Sequence, residues 1–189
     1  MLETVRSAGP QHRRFFSASS LRGGLSSALS LLLVLGTSYM VWKALSIITK
    51  SSHPIVVVIS ESMAPAFHRG DILFLWNRNP VVRAGEIPVC WFPGRPLPMV
   101  HRAIKVFTQS AGEAAQRTAQ YILTKGDNNE LDDVALYPVG QDFVHREQVV
   151  GVVKGYLPYV GYITIALNES AWFRGVMIAI LLSVGLLSS

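Results

Sequence analysis

The chain has 189 residues, half of them hydrophobic, and a mean hydropathy of +0.33. Charged residues make up 15%, against about 25% in ordinary soluble domains, which excludes a wholly soluble globule and leaves one modest extramembrane core. The net charge of +5 is concentrated at the start: Arg6, Arg13, Arg14 and Arg22 stand against Glu3 alone in residues 1–22, and no aromatic-basic platform accompanies them, so nucleic acid is not an expected partner.

Residues 1–24 read as a basic cytosolic tail. Residues 25–48 follow as an apolar run interrupted only by Lys43, which can snorkel to the interface beside Trp42. About 20 apolar residues cross a bilayer. The run is long for a cleaved leader and no A-x-A site follows it cleanly, so it reads as an uncleaved signal anchor. The preceding arginines put the N-terminus in the cytosol and everything after residue 50 on the far side.

Residues 49–170 form the predicted β-rich catalytic domain. His53–Ser60 is a β-branched run of buried-strand type, and further short apolar runs occur at Asp71–Trp76, Pro88–Phe92, Val100–Phe107, Tyr121–Thr124 and Val149–Leu157. Glycine, proline and Asp-Asn clusters punctuate them, and no 3.6-residue pattern of useful length intervenes. A small barrel or sandwich-like sheet assembly is the expected solution, with residues 108–119 as an exposed hairpin loop. Cys90, the single cysteine, sits among apolar neighbours and reads as a buried thiol.

Residues 171–189 are predicted to form a short membrane-associated helix. Beyond Arg174 its apolar stretch, residues 175–187, covers 13 residues, roughly 20 Å as a helix against a hydrocarbon core of ~30 Å. It is therefore expected to dip into the bilayer, pack on a partner, or span a thinned membrane. Asn168-Glu169-Ser170 is a glycosylation sequon beside this segment, where access is poor.

The chemistry-bearing residues lie in three blocks. Ser60-Glu61-Ser62-Met63-Ala64-Pro65 follows the first strand, so a rigid element would present the Ser62 hydroxyl; Pro65 stiffens the turn and Met63 can form an apolar floor. His101, in a strand-like run, has the chemistry of a general base. Lys125-Gly126-Asp127-Asn128-Asn129 through Asp132-Asp133 supplies carboxylates, any of which could orient a histidine. Its spacing lacks the D-x-[DN]-x-[DN]-G order of an EF-hand loop, and no metal or other cofactor is expected. Lys105 lies an even offset from His101, about 13 Å along a strand, too far for a Ser-Lys dyad.

These blocks, with Gly70-Asp71 and Arg102 at their places between them, resemble the catalytic subunit of the endoplasmic-reticulum type of signal peptidase I, from about residue 25 to the C-terminus. The resemblance implies a single-pass membrane serine endopeptidase that removes signal peptides from preproteins on the lumenal side of the endoplasmic reticulum membrane. It implies Ser62 as nucleophile, His101 as base, Asp133 as third triad member, Asp127 as a second required acid, and Ser60 as an oxyanion-hole hydroxyl. It also implies small membrane-spanning accessory subunits and the bilayer itself as partners. Two other readings have their own signatures. A prokaryotic plasma membrane could house the same chemistry, whereas a catalytically silent scaffold subunit would lack Ser62, His101 or the acidic loop. Glu61 replaces an expected small residue, and strand alternation directs its side chain away from the nucleophile. Ala64 replaces an often acidic one and has no expected role.

Overall fold

The computed structural model describes residues 18–109 and 119–187. The chain divides into two compact units, Met1–Lys43 and Ala44–Ser189.

Helix α1 (Ala18–Thr49) carries the apolar run. It starts inside the expected tail because Ala18, Ser19 and Ser20 continue the helix before Arg22. Its Arg22–Thr49 portion is 28 residues long, roughly 42 Å, apolar enough to cross a bilayer and buried nowhere along its most apolar stretch. Leu25, Leu29, Leu33, Met40 and Val41 are each more than 60% exposed, as a lipid-facing surface requires. The hydroxyls of Thr37 and Ser38 donate back to the carbonyls of Leu33 and Val34, so neither needs water. The last turn belongs to the second unit. There Asn77 N–H donates to Thr49 O at 2.8 Å, and the Arg78 guanidinium donates to the carbonyls of Ile47 and Ile48, which occupies carbonyls that a helix end leaves free.

The second unit is mainly β, as expected. β1 (Ile55–Val57), β2 (Ile72–Trp76), β8 (Val149–Leu157), β3 (Pro88–Cys90) and β4 (Met99–Val100) form an antiparallel five-stranded sheet in that order. β5 (Arg102–Gln109), β6 (Ala119–Lys125) and β7 (Val144–His145) form a second antiparallel sheet. The β5–β6 hairpin occupies the ends of the predicted 108–119 loop, and residues 110–118 lie outside the described residues. The edges β1 and β4 are last in the five-strand order at opposite ends, yet residues from both line one groove, so the sheet curls. A core of Val58, Met63, Phe67, Leu73, Leu75 and Val89 fills the curl. A second core, including Cys90, Phe92, Ala103, Ile122, Tyr137 and Val149, draws on both sheets.

Three expectations need correction. The β-branched run is not a long buried strand: β1 covers three residues, all half-buried, because it pairs only with β2 and leaves its other edge to the groove. Residues up to 170 are not all β, since α2 (Tyr162–Glu169) precedes α3 (Ala171–Leu187). The apolar spacing that buries Ile165 while exposing Tyr162 and Ile163 is helical but too short to stand out in the sequence. α2 and α3 meet at 107°, where the Ser170 hydroxyl accepts from Phe173 N–H and caps α3. Lys105 does not share a face with His101, because a register shift between Ala103 and Lys105 breaks the alternation: His101 is buried and Lys105 exposed.

Candidate active site

The turn that carries Ser62 is fixed at both ends. Beyond β1, Val58 N–H donates to Asp71 O and Gly70 N–H to Val58 O. The chain then folds into a tight turn in which Phe67 N–H donates to Met63 O, while Met63 and Phe67 sink into the core. Gly70 sits at φ +90°, and a Cβ there would lie 2.3 Å from the Tyr162 ring, so both conformation and space require glycine. The carboxylate of the buried Asp71 accepts from His68 N–H at 2.9 Å and from Tyr159 N–H at 3.1 Å, tying the turn to the end of β8. Ser62 is thereby left half-buried between the exposed Glu61 and the buried Met63.

His101 occupies the crossover between the two sheets, after β4 and before β5. Its Nε2 lies 3.0 Å from Ser62 Oγ, and its Nδ1 lies 2.7 Å from Asp133 Oδ2. The ring is 5% exposed and Asp133 is fully buried, so the contact between them works in a low dielectric where charge–dipole interactions are strong. Ser60 Oγ lies 3.3 Å from Ser62 Oγ.

Only one of the three candidate aspartates meets the histidine. Asp132 is exposed and its side chain accepts from Val134 N–H. Asp127 accepts two hydrogen bonds from Arg102, at 2.8 and 2.6 Å, and this pairing raises the proton affinity of the guanidinium above its usual value. Arg102 also donates to Gly85 O. The loop that Asp127 opens grips the backbone at Ser62: Asn128 N–H donates to Ser62 O at 2.9 Å, and its side-chain amide donates to Glu61 O at 3.2 Å. Gly126 permits this approach, since a Cβ there would stand 2.7 Å from Ser62 O.

Glu61 turns away from the site as expected, although it lies in the turn beyond β1 and not on a strand. Its carboxylate meets His68 Nδ1 at 3.3 Å and Arg69 N–H at 3.2 Å. The other described histidines stay apart from the catalytic group: His53 packs on Trp91 and His145 on Tyr121. His12 lies outside the described residues. Asn168 is exposed in the last turn of α2.

Two neighbours of Asp133 were not among the sequence candidates. The Thr124 hydroxyl donates to Asp133 Oδ2 at 2.6 Å, and Tyr137 Oη lies 3.0 Å from Thr124 Oγ1. A signal for Thr124 existed: it shares the buried face of β6 with Gln120 and Ile122, four and two residues earlier. Nothing local marks Tyr137. The site opens on a groove of about 240 Å³ walled by Val56, Val58, Met63, Leu97, Met99 and Val100.

The chain is 49% identical over 173 residues to the signal peptidase complex catalytic subunit sec11 of Neosartorya fischeri, covering 86% of this chain and 90% of that one. It is 49% identical over 163 residues to the SEC11 protein of Ajellomyces capsulatus, covering 83% and 87%. The chain belongs to the family of signal peptidase complex catalytic subunits. The sec11 protein of Emericella nidulans is 46% identical over 174 residues, covering 86% and 91% of the two chains. No protein-family model matches the chain. The family assignment bears out the sequence resemblance and, with it, the reading of the chain as an enzyme of the signal peptidase class.

Proposed function

We propose that this chain cleaves signal peptides from secretory and membrane preproteins by Ser-His-Asp catalysis, with Ser62 as nucleophile. The observation that carries the reading is the continuous contact Ser62 Oγ–His101 Nε2, His101 Nδ1–Asp133 Oδ2, at 3.0 and 2.7 Å. Neutral His101 accepts the Ser62 proton as Oγ attacks the scissile carbonyl, and Asp133 holds the ring and stabilises the imidazolium. The resulting oxyanion is received by the Ser62 N–H and the Ser60 hydroxyl. The imidazolium then protonates the leaving amine. Water, deprotonated by His101, releases the acyl group and regenerates Ser62.

The apolar groove between the edges β1 and β4 suits an extended peptide that adds main-chain hydrogen bonds to a sheet edge. Its lining of valine, leucine and methionine offers shallow apolar pockets rather than charged ones, which fits the small residues before a signal-peptide cut. Asp127 acts through Arg102 and the Asn128 brace rather than on His101. The anchor α1 holds the chain in the endoplasmic reticulum membrane with its N-terminus cytosolic and residues 49–170 lumenal, within a complex of small membrane-spanning subunits. Residues 171–189 associate with the same bilayer. Asn168 stays unmodified, because the Ser170 hydroxyl of its sequon is engaged in capping α3.

The test is processing of a model preprotein by the complex carrying wild-type chain or Ser62→Ala. Loss of cleavage in Ser62→Ala and in His101→Ala, with assembly intact, is the expected result. Equal processing by all three would instead make the chain a silent scaffold. Ser60→Ala is expected to lower kcat by about 10²- to 10³-fold with little change in KM, the usual effect of deleting an oxyanion donor.

A further inference from the structure

The carboxylate beside His101 works through one of its two oxygens. Asp133 Oδ2 accepts from His101 Nδ1 and from the Thr124 hydroxyl, at 2.7 and 2.6 Å. Asp133 Oδ1 is buried and receives no hydrogen bond, the one such side-chain atom among the described residues. Buried carboxylate oxygens are ordinarily satisfied, so this asymmetry needs a cause.

The proton inventory gives the arrangement a direction. Thr124 has a single hydroxyl proton, and it is committed to the carboxylate. The 3.0 Å contact between Thr124 Oγ1 and Tyr137 Oη therefore runs with the phenol as donor. Tyr137 Oη in turn accepts from Thr124 N–H at 2.9 Å, which aims the phenol proton at the threonine oxygen. Asp133 N–H donates to Thr124 O at 3.1 Å, so backbone and side chain of Asp133 are both held by one residue of β6. The result is a one-way chain: Tyr137 O–H to Thr124 Oγ1, Thr124 O–H to Asp133 Oδ2, with His101 Nδ1–H arriving at the same oxygen.

The surroundings provide no substitute. The Asp133 charge is felt by two further titratable groups, Tyr137 in the loop after β6 and Cys90 on β3. Burial first, and the Asp133 charge second, push the Cys90 thiol up to about 12, and burial raises the Tyr137 phenol, so both stay neutral at physiological pH. Arg146 is the cation in this region and acts on Cys90. Its guanidinium is committed to Asn77 Oδ1 and to the carbonyls of Asn79, Pro80 and Val149. With Oδ1 unheld, rotation of the carboxylate is restrained only at Oδ2.

We propose that Thr124, backed by Tyr137, is a positioning residue for the reaction: its hydroxyl locks Asp133 on Oδ2 and holds that oxygen in line with His101 Nδ1–H. This rests on the Ser62–His101–Asp133 reading. A hydrogen bond to a carboxylate favours its charged form and draws density from the accepting oxygen. Removing it concentrates charge on the His101 side, which favours the imidazolium and raises the pH needed to free the base. It also frees the carboxylate to turn while Oδ2 stays on Nδ1–H, which misaims the His101 ring at Ser62 Oγ and lowers kcat.

The test uses the assembled complex, a model preprotein, and the variants Thr124→Val, Thr124→Ser, Tyr137→Phe and Asp133→Asn. Thr124→Val is expected to lower kcat by about 10- to 100-fold at unchanged KM, the scale on which partners that orient a histidine's hydrogen-bond network act. Its acidic limb of kcat/KM, which reports the free-enzyme base, is expected to move to higher pH. Thr124→Ser restores both quantities, and Tyr137→Phe moves both in the same direction by less. Wild-type kcat and acidic limb in Thr124→Val, with only a lower melting temperature, would overturn the proposal. If Thr124→Val does not assemble, an unshifted limb in Tyr137→Phe overturns it equally. Asp133→Asn separates the two levels: activity retained there removes the triad reading and this proposal together. Activity lost there, beside unaltered Thr124→Val, removes the positioning role alone.

Discussion

Asp127 grips Arg102 through two hydrogen bonds, at 2.8 and 2.6 Å, although Arg102 follows His101 directly in the chain. The pair joins the first residue of β5 to the loop whose next residue, Asn128, holds both carbonyls flanking the Ser62 N–H. An acid one loop away from the chemistry can thus matter without touching the base. Asp127→Asn and Arg102→Leu are each expected to lower kcat by about tenfold or more, through a loosened nucleophile turn. The double variant should cost little beyond either single one, because the two residues act as one unit. Additive losses in a double-mutant cycle of kcat would count against the shared brace.

The adjacent aspartates should behave oppositely. Asp133→Asn leaves the geometry nearly isosteric but cannot stabilise the imidazolium, and a loss of about 10⁴-fold in kcat is the expected scale for a triad acid. Asp132→Asn removes an exposed carboxylate that meets only Val134 N–H, and activity close to wild type is expected. Comparable losses in the two would mean that the loop, rather than one carboxylate, carries the effect.

Gly126→Ala is a steric probe of the same loop. The added Cβ would fall 2.7 Å from Ser62 O and 2.6 Å from the Asn129 side-chain amide, and the first of these is backbone that cannot swing aside. A drop in kcat with a lowered melting temperature is expected. A crystal structure or hydrogen-exchange profile showing Asn128 still bonded to Ser62 in an active Gly126→Ala chain would contradict this account.

Cys90 provides a test of the core. Only the thiolate reacts with alkylating agents, and burial pushes this thiol up to about 12. Native chain at pH 8 should therefore resist iodoacetamide and label only on unfolding. The linkage has a definite sign. Between the usual value of 9.0 and about 12, the unfolded thiol has lost its proton while the folded one keeps it. The folded state binds more protons there, so stability falls as pH rises through this window and is fully present below it. Denaturation midpoints at pH 8 and pH 10.5 should converge in Cys90→Ala more than in wild type. An equal spread in both chains would place the thiol in a wetter setting.

Much of the architecture was legible because it rests on local pattern. The long uncharged run required a lipid-facing helix, and short apolar runs separated by Gly, Pro and Asx turns required a small β assembly. What misled was also local. Five β-branched residues in a row, Ile55 to Ile59, look like a central strand, yet β1 is an edge strand of three residues, since strand identity follows from partners rather than from side chains alone. The bulge after Ala103 likewise defeats counting by twos, and so Lys105 leaves the face of His101.

The sequence by itself determined which residue types stand in which order: a strand-end serine, a histidine, a carboxylate-rich loop, and an apolar helix ahead of them. Spacing alone left three aspartates open, although the family resemblance pointed to Asp133, because Asp127, Asp132 and Asp133 sit within seven residues of one turn-rich loop and no spacing rule reaches from it to His101. Only the tertiary structure separated them. The curl of one sheet and the crossover at His101 bring Asp133 inward onto Nδ1, turn Asp132 to solvent, and set Asp127 against Arg102. The physical reason is that hydrogen-bond direction and burial are properties of three-dimensional neighbours. The same holds for Thr124 and Tyr137, which became part of the site only when β6 and the turn after it closed around one carboxylate oxygen.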